Sequence, residues 1–135
     1  MRSRIIVGSL LLLGVFATGT IATSGDGVAP PRQWATANFL DPVLVADQIL
    51  MGPYLIVHDD AKMERGEPCT SFYRLDLVKG PQEAVLSFHC TPANRKLVDK
   101  TTFTQTTRLD SLGIPRMTEY QFAGDCEAHG IPTKP

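Results

Sequence analysis

The N-terminal segment limits what this chain can fold into. It carries Arg2 and Arg4, continues as an apolar run from Ile5 to Ala17, and ends in small and polar residues up to Gly25. This order is typical of a secretory signal peptide, and the arginines orient it so that the rest of the chain is exported. Without residues 1–23, roughly 110 residues are left, enough for one small domain with one core.

Two alternatives for this segment stay open. Small residues before Ala17 and Ala22 favour cleavage by signal peptidase. The stretch from Ile5 to Ala22 also reaches the lower length limit of a membrane span, so an uncleaved anchor is the other alternative. We expect a periplasmic or extracellular protein in either case. A membrane is a partner only if the segment is retained.

Beyond the leader, the chain holds eleven basic and fourteen acidic residues, a net charge of −3. The basic residues are scattered, which is not the striped pattern of a nucleic-acid-binding surface. Residues 24–36 are rich in Gly and Pro and predict a linker, with Trp34 near its end docking on the domain. The domain itself is predicted over residues 37–132, followed by a short tail at 133–135.

Short β patterns dominate that domain. Five segments rich in β-branched and aromatic residues are bounded by turn residues: Tyr54 to His58, Thr70 to Asp76, Ala84 to Cys90, Thr101 to Leu109 and Met117 to Ala123. They predict a mainly β fold, a small antiparallel five-stranded sheet closed as a barrel or sandwich.

One helix is also predicted, from Asp41 to Gly52. Asp41 is a suitable N-cap, Pro42 suits the first helical position, and Gly52 suits the residue after the helix. The apolar residues between them are spaced to form one broad face. The sequence therefore predicts an α+β domain with this N-terminal helix packed on the sheet.

The cysteines can be placed by the hairpin that joins the second and third predicted strands. Pairing the strands about a turn centred between Lys79 and Gly80 sets Cys69 directly opposite Cys90. An exported protein meets oxidising conditions, so a Cys69–Cys90 disulfide is predicted, with a stabilising effect on the order of 3 kcal/mol from loop entropy. Cys90–Cys126 is the competing pairing, and the first choice leaves Cys126 as a possible free thiol.

A metal site is the second interpretation of the region around Cys69 and Cys90. His58, Met63 and His89 accompany the two cysteines, and these are donor types that copper prefers. His89 and Cys90 are neighbours on a predicted strand, so their side chains should point to opposite faces. That geometry argues against one copper ion bound by both, and the leading expectation is a protein with no cofactor.

Two further groups have both structural and chemical interpretations. Asp59 or Asp60 can cap a short turn, or the pair beside His58 can hold a hard cation or act as acid and base. Nucleophilic catalysis needs a base near a thiolate, and His129 lies in a segment expected to be a flexible tail. No catalytic residue is predicted.

Four patterns occur together in the domain: His58-Asp59-Asp60, Gly66-Glu67-Pro68-Cys69, Phe88-His89-Cys90-Thr91-Pro92 and Gln121-Phe122-Ala123-Gly124-Asp125. With them, the stretch from Gly52 to Pro132 resembles small, uncharacterised exported proteins of environmental bacteria. The resemblance implies export and a single domain. It implies no activity, so no functional residue is carried over from it.

The leading functional hypothesis is a non-enzymatic binding or accessory module outside the cytoplasmic membrane, with an unknown protein or a small ligand as its partner. One alternative is a metal-binding or redox protein that uses the His, Met and Cys donors. The other is a subunit of a membrane-associated assembly, anchored by the retained N-terminal segment.

Overall fold

The structure, a computed structural model, describes residues 32–109 and 111–135. Within them the chain forms eight strands and one short helix. They are β1 (Arg32–Val45), β2 (Gln48–Asp59), α1 (Asp60–Glu64), β3 (Thr70–Asp76), β4 (Gly80–Phe88), β5 (Thr91–Asn94), β6 (Thr102–Leu109), β7 (Pro115–Gln121) and β8 (Glu127–Gly130). A mainly β fold is confirmed.

The sheet differs from the predicted one in strand number and direction. Its order is β4-β3-β2-β1-β7-β8-β5, and β6 pairs with β7 off this path. The β1–β7 contact is parallel and short, joining Leu44 to Arg116 and Val45 to Met117, while the other pairs are antiparallel. The prediction of five antiparallel strands is therefore wrong: the sheet is open and mixed, with eight.

The predicted helix from Asp41 to Gly52 is also wrong. This stretch is the end of β1, a tight turn at Ala46 and Asp47, and the start of β2. Val43 and Val45 are buried while Leu44 between them is only partly buried, which is the period of a strand. β-branched side chains on a surface that pairs with neighbours outweigh the capping signals.

Pro42 and Gly52, which the helix prediction assigned to the two helix ends, belong to the β1–β2 hairpin. The β1–β2 register shifts between Phe39 and Val43, so Pro42 lies where no ladder hydrogen bond is needed from its nitrogen. Gly52, opposite Phe39, has a φ of 92°. The left-handed conformation expected of Gly52 is present, but it belongs to an irregular strand pair and not to a helix end.

The five predicted strands all correspond to observed ones. The bounds of β3 match the prediction, β2 begins six residues before the predicted Tyr54, and the other three differ by one to four residues at their ends. Sequence reasoning missed β1, the first half of β2, and the four-residue strands β5 and β8. Strands as short as β5 and β8 carry too few residues for a period-2 pattern to stand out.

The N-terminal boundary also differs from expectation. Strand β1 begins at Arg32, so residues 32–36 of the predicted linker are part of the sheet. Trp34 does not dock in the core: it is 68% exposed. The predicted leader lies outside the described residues. Among those described, no helix has the length and apolar character needed to cross a membrane.

The core ends in a polar cluster. Inward-facing Tyr54 and Ile56 of β2 are followed, two residues later, by fully buried His58. The apolar stripe of β4 likewise runs to Phe88 and is continued by buried Cys90. The same alternation that builds the apolar core therefore carries a histidine and a cysteine into its end.

Candidate metal centre

The β3–β4 hairpin brings Cys69 and Cys90 together, although not by the predicted register. Thr70 pairs with Phe88, one residue away from the symmetric pairing, because irregularities interrupt the ladder nearer the tip. Strand β4 ends at Phe88, and the chain then turns so that the amide of Cys90 donates to Cys69 Sγ at 3.1 Å. The prediction of directly opposed cysteines is wrong, but the two sulfurs lie 2.9 Å apart.

The pair is a dithiol in this structure. Cys69 and Cys90 are both free and buried, and no bond joins them. The disulfide therefore stays a prediction. Cys126, the possible free thiol, is a free and exposed cysteine. Its competing pairing with Cys90 is not formed here.

Four side-chain donors surround the sulfur of Cys90. The distances from Cys90 Sγ are 2.9 Å to Cys69 Sγ, 3.4 Å to His58 Nε2, 3.6 Å to Met63 Sδ and 3.6 Å to His129 Nδ1. A thiol has one proton, so at most one of these contacts is an S–H hydrogen bond donated by Cys90. A cation bound between Cys90 Sγ and its neighbours could accept electron pairs from several of these donors at once.

His58 is held by the elements at the end of β2. Its Nδ1 is 3.2 Å from Asp60 Oδ1, an ion-pair distance, although the alignment does not make a hydrogen bond. Asp59 is the N-cap of α1 and accepts from the amide of Lys62 at 3.1 Å, as the turn prediction expected. The two carboxylates thus divide their roles: Asp59 starts the helix, and Asp60 lies behind the ring of His58.

Helix α1 supplies the thioether of the cluster. Met63 lies on its last turn, partly buried against the core. Because Asp59 caps the helix at the point where β2 ends, the turn carries Met63 back over the cysteine pair. The thioether is the softest neutral donor in the set, and soft donors favour Cu(I).

His129 is the donor that sequence reasoning missed. The segment expected to be a flexible tail is β8, and His129 is fully buried in it, opposite Tyr120 of β7. The two rings stack with centroids 5.0 Å apart, and His129 also lies 4.1 Å from the ring of His58. A four-residue strand preceded by turn residues offered no signal strong enough to place it.

Burial sets the charge of these groups. Burial, with the neighbouring His58 acting in the same direction, lowers the pKa of His129 to about 4. Burial also lowers the pKa of His58, against the opposing effect of Asp60. Both imidazoles are thus neutral near pH 7, which is the form that binds metals.

The pKa of the Cys90 thiol is shifted upward, opposite to the pKa values of the two histidines. Burial, with the adjacent Cys69 adding to it, raises the pKa of Cys90 to about 12. A catalytic cysteine needs a lowered pKa, so this environment argues against a thiolate nucleophile at Cys90. A metal ion can replace the thiol proton directly, because a coordinating thiol is deprotonated by the ion it binds.

The distances from Cys90 Sγ to the two histidines fit the edges of a tetrahedral site, while the distance between the two sulfurs is shorter than such an edge. Bonds of about 2.3 Å to sulfur and 2.0 Å to nitrogen give tetrahedral edges of about 3.8 Å between sulfurs and 3.5 Å between sulfur and nitrogen. The contacts of Cys90 with His58 and His129 are close to that edge. The two thiols must separate by somewhat less than 1 Å from their 2.9 Å distance. Donor atoms of His58, Cys69 and Cys90 already lie within 4.8 Å of one another.

On the outer side of the Cys69–Cys90 pair, His89 lies beside Cys69. The ring of His89 is exposed, and its Nδ1 is 4.0 Å from Cys69 Sγ and 3.1 Å from the carbonyl oxygen of Glu67. The expectation that His89 and Cys90 point to opposite faces is confirmed, since Cys90 is fully buried. Of the predicted metal donors, His58 and Met63 thus lie beside Cys90, and His89 lies beside Cys69.

Comparison with known proteins identifies no relative: no protein-family model, no curated protein and no solved structure matches this chain.

Proposed function

We propose that this protein is a non-enzymatic binding module whose ligand is a thiophilic metal ion, Cu(I) in first place, and that it acts outside the cytoplasmic membrane. The observation that carries the proposal is the convergence of one thiol, two imidazoles and one thioether on the sulfur of Cys90, within 3.6 Å. Sulfur and imidazole donors together select Cu(I) or Zn²⁺, and the Met63 thioether favours copper.

The roles follow from the contacts. Cys69 and Cys90 would be the anionic ligands, His58 the imidazole ligand through Nε2, and His129 or Met63 the fourth donor. Asp60 lies 3.2 Å from Nδ1 of His58, and its negative charge would favour the proton on that nitrogen and leave Nε2 free for the ion. The Cys90 amide, donating to Cys69 Sγ, would stabilise a thiolate there.

Metal titration of the reduced protein tests the proposal. Protein made without a metal-binding tag, in a Cys126→Ser background that removes the exposed thiol, would be titrated anaerobically with Cu(I) against a coloured Cu(I) chelator. We expect stoichiometric Cu(I) that the chelator removes only at large excess. The Cys69→Ser/Cys90→Ser double variant should bind none. Failure of the parent protein to hold Cu(I) overturns the proposal, and a stoichiometric preference for zinc over Cu(I) overturns its choice of metal.

A further inference from the structure

The cluster has more donors than one ion can use. Five side chains lie at or around Cys90, and His89 adds a sixth on the far side of Cys69. A Cu(I) or Zn²⁺ ion takes four at most in such sites. His89 differs from the other donors because it does not contact Cys90 Sγ: its Nδ1 lies 4.0 Å from Cys69 Sγ. Among these donors, His89 is therefore paired with Cys69.

The Cys69–His89 distance suits an ion of low coordination number. With bonds of about 2.3 Å and 2.0 Å, a linear S–metal–N unit spans about 4.3 Å and a trigonal one about 3.7 Å. The observed distance of 4.0 Å between Cys69 Sγ and His89 Nδ1 lies between these values. In this structure, Nδ1 donates to the carbonyl oxygen of Glu67. An ion would replace that proton, and the neutral ring would carry its proton on Nε2 instead.

Charge favours a second ion as well. A single Cu(I) between two thiolates leaves one net negative charge in a site where Cys90 is fully buried and Cys69 is 3% exposed. An uncompensated buried charge is costly. Two Cu(I) ions with two thiolates are neutral, and binding of both ions releases the two thiol protons in total. No oxidation or reduction is needed.

From this geometry we infer a second Cu(I) site, formed by Cys69 and His89 on the solvent side of the dithiol, with Cys69 bridging the outer and inner ions. The inference rests on the proposed function, since both ions share the cysteine pair. The outer site has a surface-exposed ligand, so it is the position from which an ion exchanges with an external donor or acceptor.

The number of bound ions tests the inference. In the Cys126→Ser background, native mass spectrometry and the chelator titration would count Cu(I) in the parent protein, in His89→Ala and in Thr91→Ala, which changes an exposed side chain beside the cluster. We expect two ions in the parent and in Thr91→Ala, and one in His89→Ala with an unchanged affinity for that ion. X-ray absorption should show a short Cu–Cu distance only in the two-ion forms.

The outcomes separate the two proposals. One ion in the parent protein overturns the second site and leaves the proposed function standing, whereas no ion overturns both. Two ions in His89→Ala overturn the assignment of His89. Because the His89 side chain is exposed, the variant should keep its fold, and an unchanged thermal midpoint would verify this.

Discussion

The inner and outer sides of the Cys69–Cys90 pair are built differently. On the inner side, His58 and His129 are fully buried, neutral near pH 7, and packed against aromatic rings. On the outer side, His89 is exposed and is held by one contact with a backbone carbonyl. A prearranged dry set of donors favours tight binding, while an exposed ligand favours exchange. Under the proposed function, the inner side would hold an ion tightly and the outer side would exchange one.

Oxidation is expected to have the largest effect, because it removes both anionic ligands at once. Excess oxidised glutathione should convert the two thiols to a Cys69–Cys90 disulfide, with release of two molecules of reduced glutathione. The oxidised protein should bind no Cu(I), and protein loaded with Cu(I) should resist oxidation. Thiol counting on the metal-free protein in the Cys126→Ser background, which removes the exposed thiol that would form a mixed disulfide, would give two thiols before treatment and none after it. Equal Cu(I) binding by the oxidised protein would contradict the placement of the metal at this pair.

Replacing the central sulfur should have the next largest effect. A four-ligand site of about 10–16 kcal/mol shared evenly assigns about 2.5–4 kcal/mol to each ligand, so Cys90→Ser should weaken Cu(I) binding roughly a hundredfold to a thousandfold. The matched variant Cys126→Ser changes an exposed thiol and should leave the affinity unchanged. Competition with a coloured Cu(I) chelator measures both. Equal losses in the two variants would show that ordinary thiol chemistry, and not the cluster, binds the ion.

Acid should destabilise the inner side of the metal-free protein. The pKa of His129 is about 4 in the folded state and 6.5 as its ordinary value, so the folded state binds fewer protons between these two pH values. The contribution of neutral His129 to the free energy of unfolding is therefore fully present above pH 6.5 and is lost as the pH falls towards 4. The loss is at most about 3 kcal/mol. His58, with a lowered pKa, acts in the same direction.

Urea denaturation of the reduced, metal-free protein at several pH values between 7 and 4 measures this effect. His129→Gln should flatten the dependence of unfolding free energy on pH. His89→Gln, which changes a ring on the outer side that solvent already reaches, should keep it. A steep dependence that survives in His129→Gln would assign the acid sensitivity to other groups.

The smallest expected effect separates the two carboxylates beside His58. Asp60→Asn should weaken Cu(I) binding about 10- to 100-fold, the usual cost of removing a carboxylate behind a ligating histidine. Asp59→Ala should instead cost about 1 kcal/mol of stability through loss of the α1 cap. Chelator competition and urea denaturation on both variants test this division. A larger loss of metal affinity in Asp59→Ala than in Asp60→Asn would reverse the assignment.

Local pattern was a good guide where neighbouring residues decide the structure. Strand β3 has its predicted bounds, and the Asp59 cap of α1 is where the turn residues indicated. His58, Met63 and the two cysteines were selected by donor type alone, and the fold brings them together. Strand bounds and helix caps depend on residues a few positions apart, and donor types depend on single residues, so the sequence displays both directly.

Tertiary pairing decided the rest. The residues from Asp41 to Gly52 have helix-capping signals, yet pairing between β1 and β2 makes them strands, because burial of Val43 and Val45 in a sheet outweighs local propensity. His129 reaches the side chains around Cys90 only because β8 pairs with β7 and carries it into the core.

The sequence alone therefore determined the β class of the domain, the donor types available to a metal, and the cysteine-bearing hairpin. It left open which donors meet. That choice belongs to the folded chain, where contacts between residues far apart in sequence place His58 and His129 within 3.6 Å of Cys90 Sγ. No local periodicity encodes a contact of that kind, because it exists only after the strands have paired.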